Sequence, residues 1–206
     1  MNVAIHGARG RLGSLIEAEA VATDVYAGPV PRGGPVPECD VVIDVTSADG
    51  LHDLLDRLSG QPLVVGTTGD LPIEKLEAYA YSAPVAIVPN FSAGVPLLLD
   101  LIQQAVRALP DGWDLEIVEV HHNQKKDAPS GTARRMARAV EDAGGTVNAS
   151  HSLRVGDTTG EHTLWLSGPG ERLELKHVAT RRAVFAIGAL RWARKILSMP
   201  PGLHRP

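Results

Sequence analysis

The 206-residue chain reads as an α/β protein of two lobes, a doubly wound parallel sheet at the N-terminus followed by a smaller α+β lobe. Three observations predict this. Through the first half, short runs rich in β-branched residues alternate with amphipathic stretches, the order that builds a parallel sheet covered by helices. Those runs are nearly continuous in apolar residues, as strands buried on both faces are. After "PNFSAGV" the pattern changes to one long apolar helix and then to further strands, so a second lobe is expected to begin near Phe91.

The first strand is "NVAI", and Leu15, Ile16 and Ala20 then share one helical stripe with Leu12. Further strands are "DVYA", "VVIDV", "PLVVG" and "PVAIV", with helices over residues 48–58 and 72–81 between the last three. Residues 28–37 are crowded with glycine and proline, carry no periodicity, and read as a loop. In the second lobe "PLLLDLIQQAVRAL" is a helix and "DLEIVEV" a strand. A helix opening at Gly131 buries Ala133, Met136, Ala137 and Val140 and stops at Gly144-Gly145. "HTLWLS" and "RLELKHV" are strands joined by a "GPGE" hairpin turn. "RRAVFAIGALRWARKIL" forms a closing helix that can return to the first lobe.

Composition excludes several classes. The net charge of -4 leaves no global basic field for nucleic acid or anionic lipid, so any anion site must be local. The single cysteine, Cys39, has no partner for an internal disulfide, and no apolar run is long enough to span a bilayer. "MNVAIHGARG" enters a strand at once, without the series of a targeting segment, so a cytoplasmic location is expected.

Two segments carry chemistry. Gly7, Gly10 and Gly13 stand as G-x-x-G-x-x-G between a strand and a helix, where glycine allows a tight turn and close approach of a pyrophosphate to the helix N-terminus. Taken alone, such a turn serves close packing equally well. The βα units that follow, with Arg9 and Arg11 in an acidic chain, favour a dinucleotide. No carboxylate follows the second strand to hold a ribose 2′-hydroxyl, and Arg32 is the nearest charge; this either counts against a dinucleotide or tilts the reading toward a 2′-phosphate. "VVGTTG" offers a second strand end with unpaired backbone N–H groups.

The other segment is "HHNQKKDAPSGTA", residues 121–133. His121 and Lys125 would stand about 13 Å apart in an extended chain, so a bend is required to join them. Ser130, Gly131 and Thr132 open a helix with hydroxyls and unpaired N–H groups, a cradle for an anion. With His122 and Lys125 nearby it suits a carboxylate-bearing substrate, and a histidine can supply a proton at physiological pH. A solvated loop before a capped helix is the plain alternative. A metal site of Glu119, His121 and His122 is disfavoured because adjacent histidines on a strand diverge, and no metal is expected. His6, His52, His151 and His204 read as packing or surface residues, with His162 and His177 left open.

Together, "VAIHGARGRLG", "VVIDVTS", "VVGTTG", "VPNFSAGV", "VEVHHNQKKDAPSGTA" and "RVGDTTGEHT" resemble the 4-hydroxy-tetrahydrodipicolinate reductase (dihydrodipicolinate reductase) family, in the family's order and over most of the chain. The resemblance implies a Rossmann dinucleotide-binding domain of residues 1–91 plus 181–206. It also implies a substrate-binding and oligomerisation domain of residues 92–180, with an open mixed sheet that builds a homotetramer. The implied reaction is reduction of a cyclic dicarboxylate by NADPH or NADH with loss of water, in diaminopimelate and lysine biosynthesis. It makes His121 the proton donor and Lys125 the second catalytic residue, with His122, Lys125, Ser130, Gly131 and Thr132 at the substrate carboxylates. Cofactor contacts are implied for Gly7, Arg9, Gly10, Arg11 and Leu12, for Gly66, Thr67 and Thr68, for Pro89, Asn90 and Phe91 at a hinge, and for Arg182. The chain departs from the family by a shortened segment after the second strand, by lacking an Arg- and Gly-rich stretch before His151, and by Ser47 where some members carry arginine. A related imine or amino-acid reductase and a non-catalytic nucleotide sensor are the alternatives.

Overall fold

The computed structural model describes residues 1–205; Pro206, the last residue of the expected 181–206 segment, lies outside the described residues. Met1–Phe91 and the chain from Arg182 onward form one unit, and Ser92–Arg181 a second. No helix among the described residues is long and apolar enough to cross a membrane.

The first unit is a six-stranded sheet built of β1 (Val3–His6), β2 (Tyr26–Val30), β3 (Val41–Asp44), β4 (Leu63–Val65), β5 (Pro84–Ile87) and a last strand, β10 (Gly202–His204). The order is β10-β5-β4-β3-β1-β2 and every pairing is parallel. Strand alternation sorts the core into two layers. Val3, Ile5, Val41, Ile43 and Val64 pack with α1 (Gly13–Ala22) and with α6 (Ala183–Ile196), the closing helix that does return to this unit. Ala4, Val42, Leu63, Val65 and Val85 pack with α2 (Ala48–Leu55) and α3 (Ile73–Ala80).

Two differences from the sequence reading have physical causes. Residues 28–30, expected in a loop, continue β2; this is an edge strand, where Pro29 need not donate to a ladder. The three-residue β10 follows two prolines and is too short to show a period.

The second unit has α4 (Gly94–Ala108) and α5 (Gly131–Asp142) on one face of a mixed sheet, β7-β6-β8-β9. Its strands are β6 (Asp114–His121), β7 (Ala149–Arg154), β8 (Glu161–Gly168) and β9 (Glu171–Val178). β6 and β7 are parallel, joined through α5, and the other pairs are antiparallel. β7 has no counterpart in the sequence reading, because "ASHSLR" is polar on both faces and half exposed.

Candidate active site

Along β6 the buried face carries Leu115, Ile117, Glu119 and His121 in alternation. The first two complete the apolar layer with Leu164 and Leu166 beneath α4 and α5. The last two are polar, and strand register extends them sideways. Glu119 lies beside Ser152 of β7 and opposite His162 of β8, which is opposite His177 of β9. A polar row thus crosses the sheet where its apolar layer ends. His121 itself pairs with Arg154, both at the carboxyl ends of the parallel strands.

Glu119 is fully buried. Arg154 grips it with two bonds, Nη2 to Oε1 at 2.8 Å and Nη1 to Oε2 at 3.0 Å. The backbone N–H of Ser130 donates to Oε1 at 3.1 Å, and Nδ1 of His121 meets Oε2 in a short hydrogen bond. Burial alone would raise the Glu119 pKa, but hydrogen bonds from Arg154, Ser152 and His121 outweigh it and hold the carboxyl down at about 2. An ionised carboxylate only accepts, so Nδ1 of His121 must carry the hydrogen. Nε2 is then the ring position left for chemistry.

His121 is 8% exposed, and burial lowers its pKa despite the Glu119 carboxylate, with the Lys125 and Arg154 cations adding to the effect. The contact with Glu119 is therefore a hydrogen bond from a neutral ring at neutral pH. At Gly160 a Cβ would stand 3.1 Å from Nε2, so glycine there keeps that ring edge clear. The His162 ring lies edge-on to His121 at 5.0 Å between centroids.

The bend required by the sequence is present. Lys125 N–H donates to His122 O at 3.1 Å, and Asn123 N–H donates to Gly156 O at 3.1 Å. Arg154 braces the same loop from β7 by donating to the carbonyls of Lys125 and Asp127, at 3.2 and 2.6 Å. Lys125 Nζ rests on Asp127 Oδ1 at 2.7 Å, and Lys126 is exposed. Ser130 begins α5: its Oγ accepts from Ala133 N–H at 3.1 Å and meets His162 Nε2 at 3.0 Å. The Ser130 hydroxyl is thus engaged as a cap, and what it offers a ligand is the turn it leads. Gly131 is exposed and Thr132 half-buried in the first helical turn, and His122 is half-buried at the loop's start.

His162 and His177, left open by the sequence, are brought into the row. His162 is pushed down to about 4 by burial, with His121 next among the causes, and burial also lowers His177. His177 Nε2 meets Ser92 Oγ at 3.0 Å. The Nδ1 atoms of both rings are buried with no hydrogen-bond partner among the described residues.

In the first unit the glycine turn fits a phosphate group. Gly7 has φ +93°, and a Cβ there would lie 2.7 Å from Val45 O; one at Gly13 would lie 2.0 Å from Gly7 O. Gly10 N–H closes the turn on Gly7 O at 2.8 Å, and α1 has no side-chain cap and no acid in its first turn. A helix N-terminus of this kind favours an anion. Beside it lies a cavity of about 620 Å³ lined in part by Gly7, Arg9, Arg32, Ser47, Asp49 and Asp53.

Of the expected cofactor residues, Gly7, Arg9 and Arg32 line that cavity. Gly10 and Arg11 are exposed in the turn, and Leu12 caps α1 while packing on the core. Gly66, Thr67 and Thr68 follow β4, but two of them are occupied: Gly66 N–H pairs with Asp44 O, and the Thr67 hydroxyl donates to the buried Asp44 carboxylate. The expectation of unpaired N–H groups there is corrected at Gly66, where the strand ladder continues one residue further. Thr68 and Pro89 are exposed, Asn90 is half-buried, and Phe91 packs in the core against Gly66. Arg182 is exposed at the start of α6.

Sequence reasoning missed Arg154 as a site residue and weighed Glu119 only as a metal ligand. The buried-face alternation of "LEIVEVH" held the signal for Glu119; Arg154 needed the register of a strand that the pattern does not reveal.

The family model for dihydrodipicolinate reductase, C-terminus, matches residues 94–205, and that for dihydrodipicolinate reductase, N-terminus, matches residues 34–91. The 4-hydroxy-tetrahydrodipicolinate reductase of Stenotrophomonas maltophilia (strain R551-3) is 40% identical over 230 residues, covering 100% of this chain and 95% of its own. That of Xanthomonas campestris pv. campestris (strain B100) is 38% identical over 229 residues with the same coverage. Among solved structures, a dipicolinate-bound dihydrodipicolinate reductase from Paenisporosarcina sp. TG-14 shares the fold. It has a TM-score of 0.78 at 20% identity, covering 100% of this chain and 97% of that one. The sheet of the first unit, the polar row of the second and these matches lead to one conclusion: the chain belongs to the dihydrodipicolinate reductase family of NAD(P)H-dependent oxidoreductases, which convert 4-hydroxy-tetrahydrodipicolinate to tetrahydrodipicolinate in diaminopimelate and lysine biosynthesis.

Proposed function

We propose that in this chain His121 donates the proton of the reduction and Lys125 stabilises charge on the ring undergoing reduction. His122, Lys125 and the turn of Ser130, Gly131 and Thr132 hold the substrate carboxylates. The observation that carries this reading is the fixing of His121 through Nδ1 on Glu119, which leaves Nε2 as its reacting nitrogen, on the strand end that leads directly into the Lys125 loop. A neutral His121 must take up a proton before it can donate one. Two carboxylates arriving beside it favour that uptake, since nearby negative charge raises a histidine pKa. Lys125, drawn to Asp127 without substrate, exchanges one carboxylate for another on binding.

On this reading residues 1–91 plus 181–206 are the dinucleotide-binding domain, and residues 92–180 the substrate-binding and oligomerisation domain. Gly7, Arg9, Gly10, Arg11 and Leu12 would hold the pyrophosphate, and Arg32 a 2′-phosphate, so NADPH is used at least as well as NADH. A bound reduced nicotinamide supplies the hydride. Residues 66–68, 89–91 and Arg182 complete the expected contacts. Assembly as a homotetramer is supported by the sheet face away from α4 and α5, which presents Val118, Val120, Leu153, Trp165 and Val178. A cytoplasmic setting accords with a biosynthetic reductase.

The two adjacent lysines test the assignment. Lys125→Ala should lower kcat on the order of 10²–10⁴-fold, the usual contribution of a positioned acid–base group, while Lys126→Ala stays near wild type. Loss of turnover in Lys126→Ala with Lys125→Ala active would show the loop to be misread.

A further inference from the structure

We infer that Glu119, clamped by Arg154, is a positioning residue for the reduction: one buried carboxylate that sets the His121 tautomer and at the same time ties together the segments carrying Lys125 and the carboxylate cradle. The inference rests on the reading of His121 as proton donor and extends it to two residues that touch no substrate in that reading.

The bonds around this carboxylate are distributed in a telling way. Oε1 accepts from Arg154 Nη2 and Ser130 N–H, Oε2 from Arg154 Nη1 and His121 Nδ1–H, and the Ser152 side chain adds a further hydrogen bond from β7. The donors come from three parts of the site. His121 ends β6, Ser130 starts α5 just ahead of Gly131 and Thr132, and Arg154 ends β7. Arg154 then spends its remaining donors on the carbonyls of Lys125, Asp127 and its own neighbour Leu153. The Glu119–Arg154 pair is consequently the point through which the ring, the lysine loop and the helix cap are all held.

Stability alone does not account for such a pair. A buried ion pair is expensive to desolvate, and apolar side chains of similar volume often serve a core as well. What apolar groups cannot do is choose between the two nitrogens of a histidine. An ionised carboxylate accepts only, so it admits the Nδ1–H form of His121 and no other. Glutamine in its place presents either a carbonyl or an amide N–H to Nδ1, and the choice is lost. In the Nε2–H neutral form the ring cannot be loaded at Nε2, the edge that Gly160 keeps clear.

The test uses the full chain in three forms: wild type, Glu119→Gln, and the double variant Glu119→Gln/Arg154→Gln. The double variant removes both charges together, so it leaves no unpaired buried ion should the single variant fail to fold. Nitrogen NMR of the histidine rings reads the His121 tautomer without any turnover, with His121→Gln identifying the signal. Steady-state kinetics read kcat and the KM for NADPH. The expected result is a single Nδ1–H form in wild type and a mixture of tautomers in the folded variant. With it, kcat should fall on the order of 10²-fold or more while the KM for NADPH is unchanged, as loss of an oriented acid predicts. A variant whose His121 keeps the pure Nδ1–H form overturns the inference, as does one with mixed tautomers and undiminished kcat. Should His121→Gln itself turn over at the wild-type rate, the proton-donor reading has failed instead, and the tautomer measurement reports on Glu119 independently of it.

Discussion

At the scale of single residues, the second unit shows how little of a side chain's role lies in its identity alone. The chain has 8 histidines, and three of them, His121, His162 and His177, stand close together at the end of one sheet. Of these three, His121 is the one whose ring nitrogen meets a carboxylate, that of Glu119. Ser130 and Thr132 divide similarly: Ser130 is 2% exposed with its hydroxyl engaged in capping, whereas Thr132 lies half-buried in the first turn of α5. Thr132→Val keeps the shape and removes the hydroxyl, so the KM for substrate should rise with nucleotide affinity unchanged. A hydrogen bond to a charged group is worth roughly 1.5–3 kcal/mol, about a tenfold effect or more. An unaltered KM would place the carboxylate elsewhere. His121, Lys125 and Thr132 could be proposed from sequence because they sit in one continuous segment. Arg154 could not, since it lies 35 residues from Glu119 along the chain and reaches it only through strand pairing.

Among the elements, the parallel character of the first sheet was readable because strands such as β3 and β4 are nearly continuous in apolar residues and alternate with amphipathic stretches. The edges were not. β2 runs on through Gly28 and Pro29, residues that break a central strand but are tolerated at an edge. That extension has a consequence for the cofactor, because it brings Arg32 just past the strand end into the wall of the cavity that Asp49 and Asp53 enter from α2. The absence of an acid after β2 is therefore only part of the electrostatics the nucleotide meets. Arg32→Asp should weaken NADPH and move preference toward NADH, as titration of both nucleotides with the purified variant will read. Equal affinities for NADPH before and after the exchange would remove Arg32 from the 2′-phosphate site.

For the molecule as a whole, the polar row makes the second unit sensitive to acid. His162 is 5% exposed and binds a proton only near pH 4, against 6.5 for an unconstrained histidine. Between those values the unfolded chain takes up more protons than the folded one, so stability is complete above about pH 6.5 and falls as the pH drops toward 4. The full effect is roughly 3 kcal/mol. Glu119, held at about 2, continues the same trend at lower pH. His162→Gln retains a partner for Ser130 but does not titrate, so its Tm should fall less than that of wild type between pH 6.5 and 4. Parallel curves would assign the acid sensitivity to other groups. His121 and Lys125 are proposed to act together on one substrate, and a double-mutant cycle on kcat measures that coupling. His121→Ala and Lys125→Ala should each cost on the order of 10²–10⁴-fold, and the double variant much less than the product of the two, because groups serving one step are not additive. Losses that multiply in full, or single variants with near-normal kcat, would contradict it.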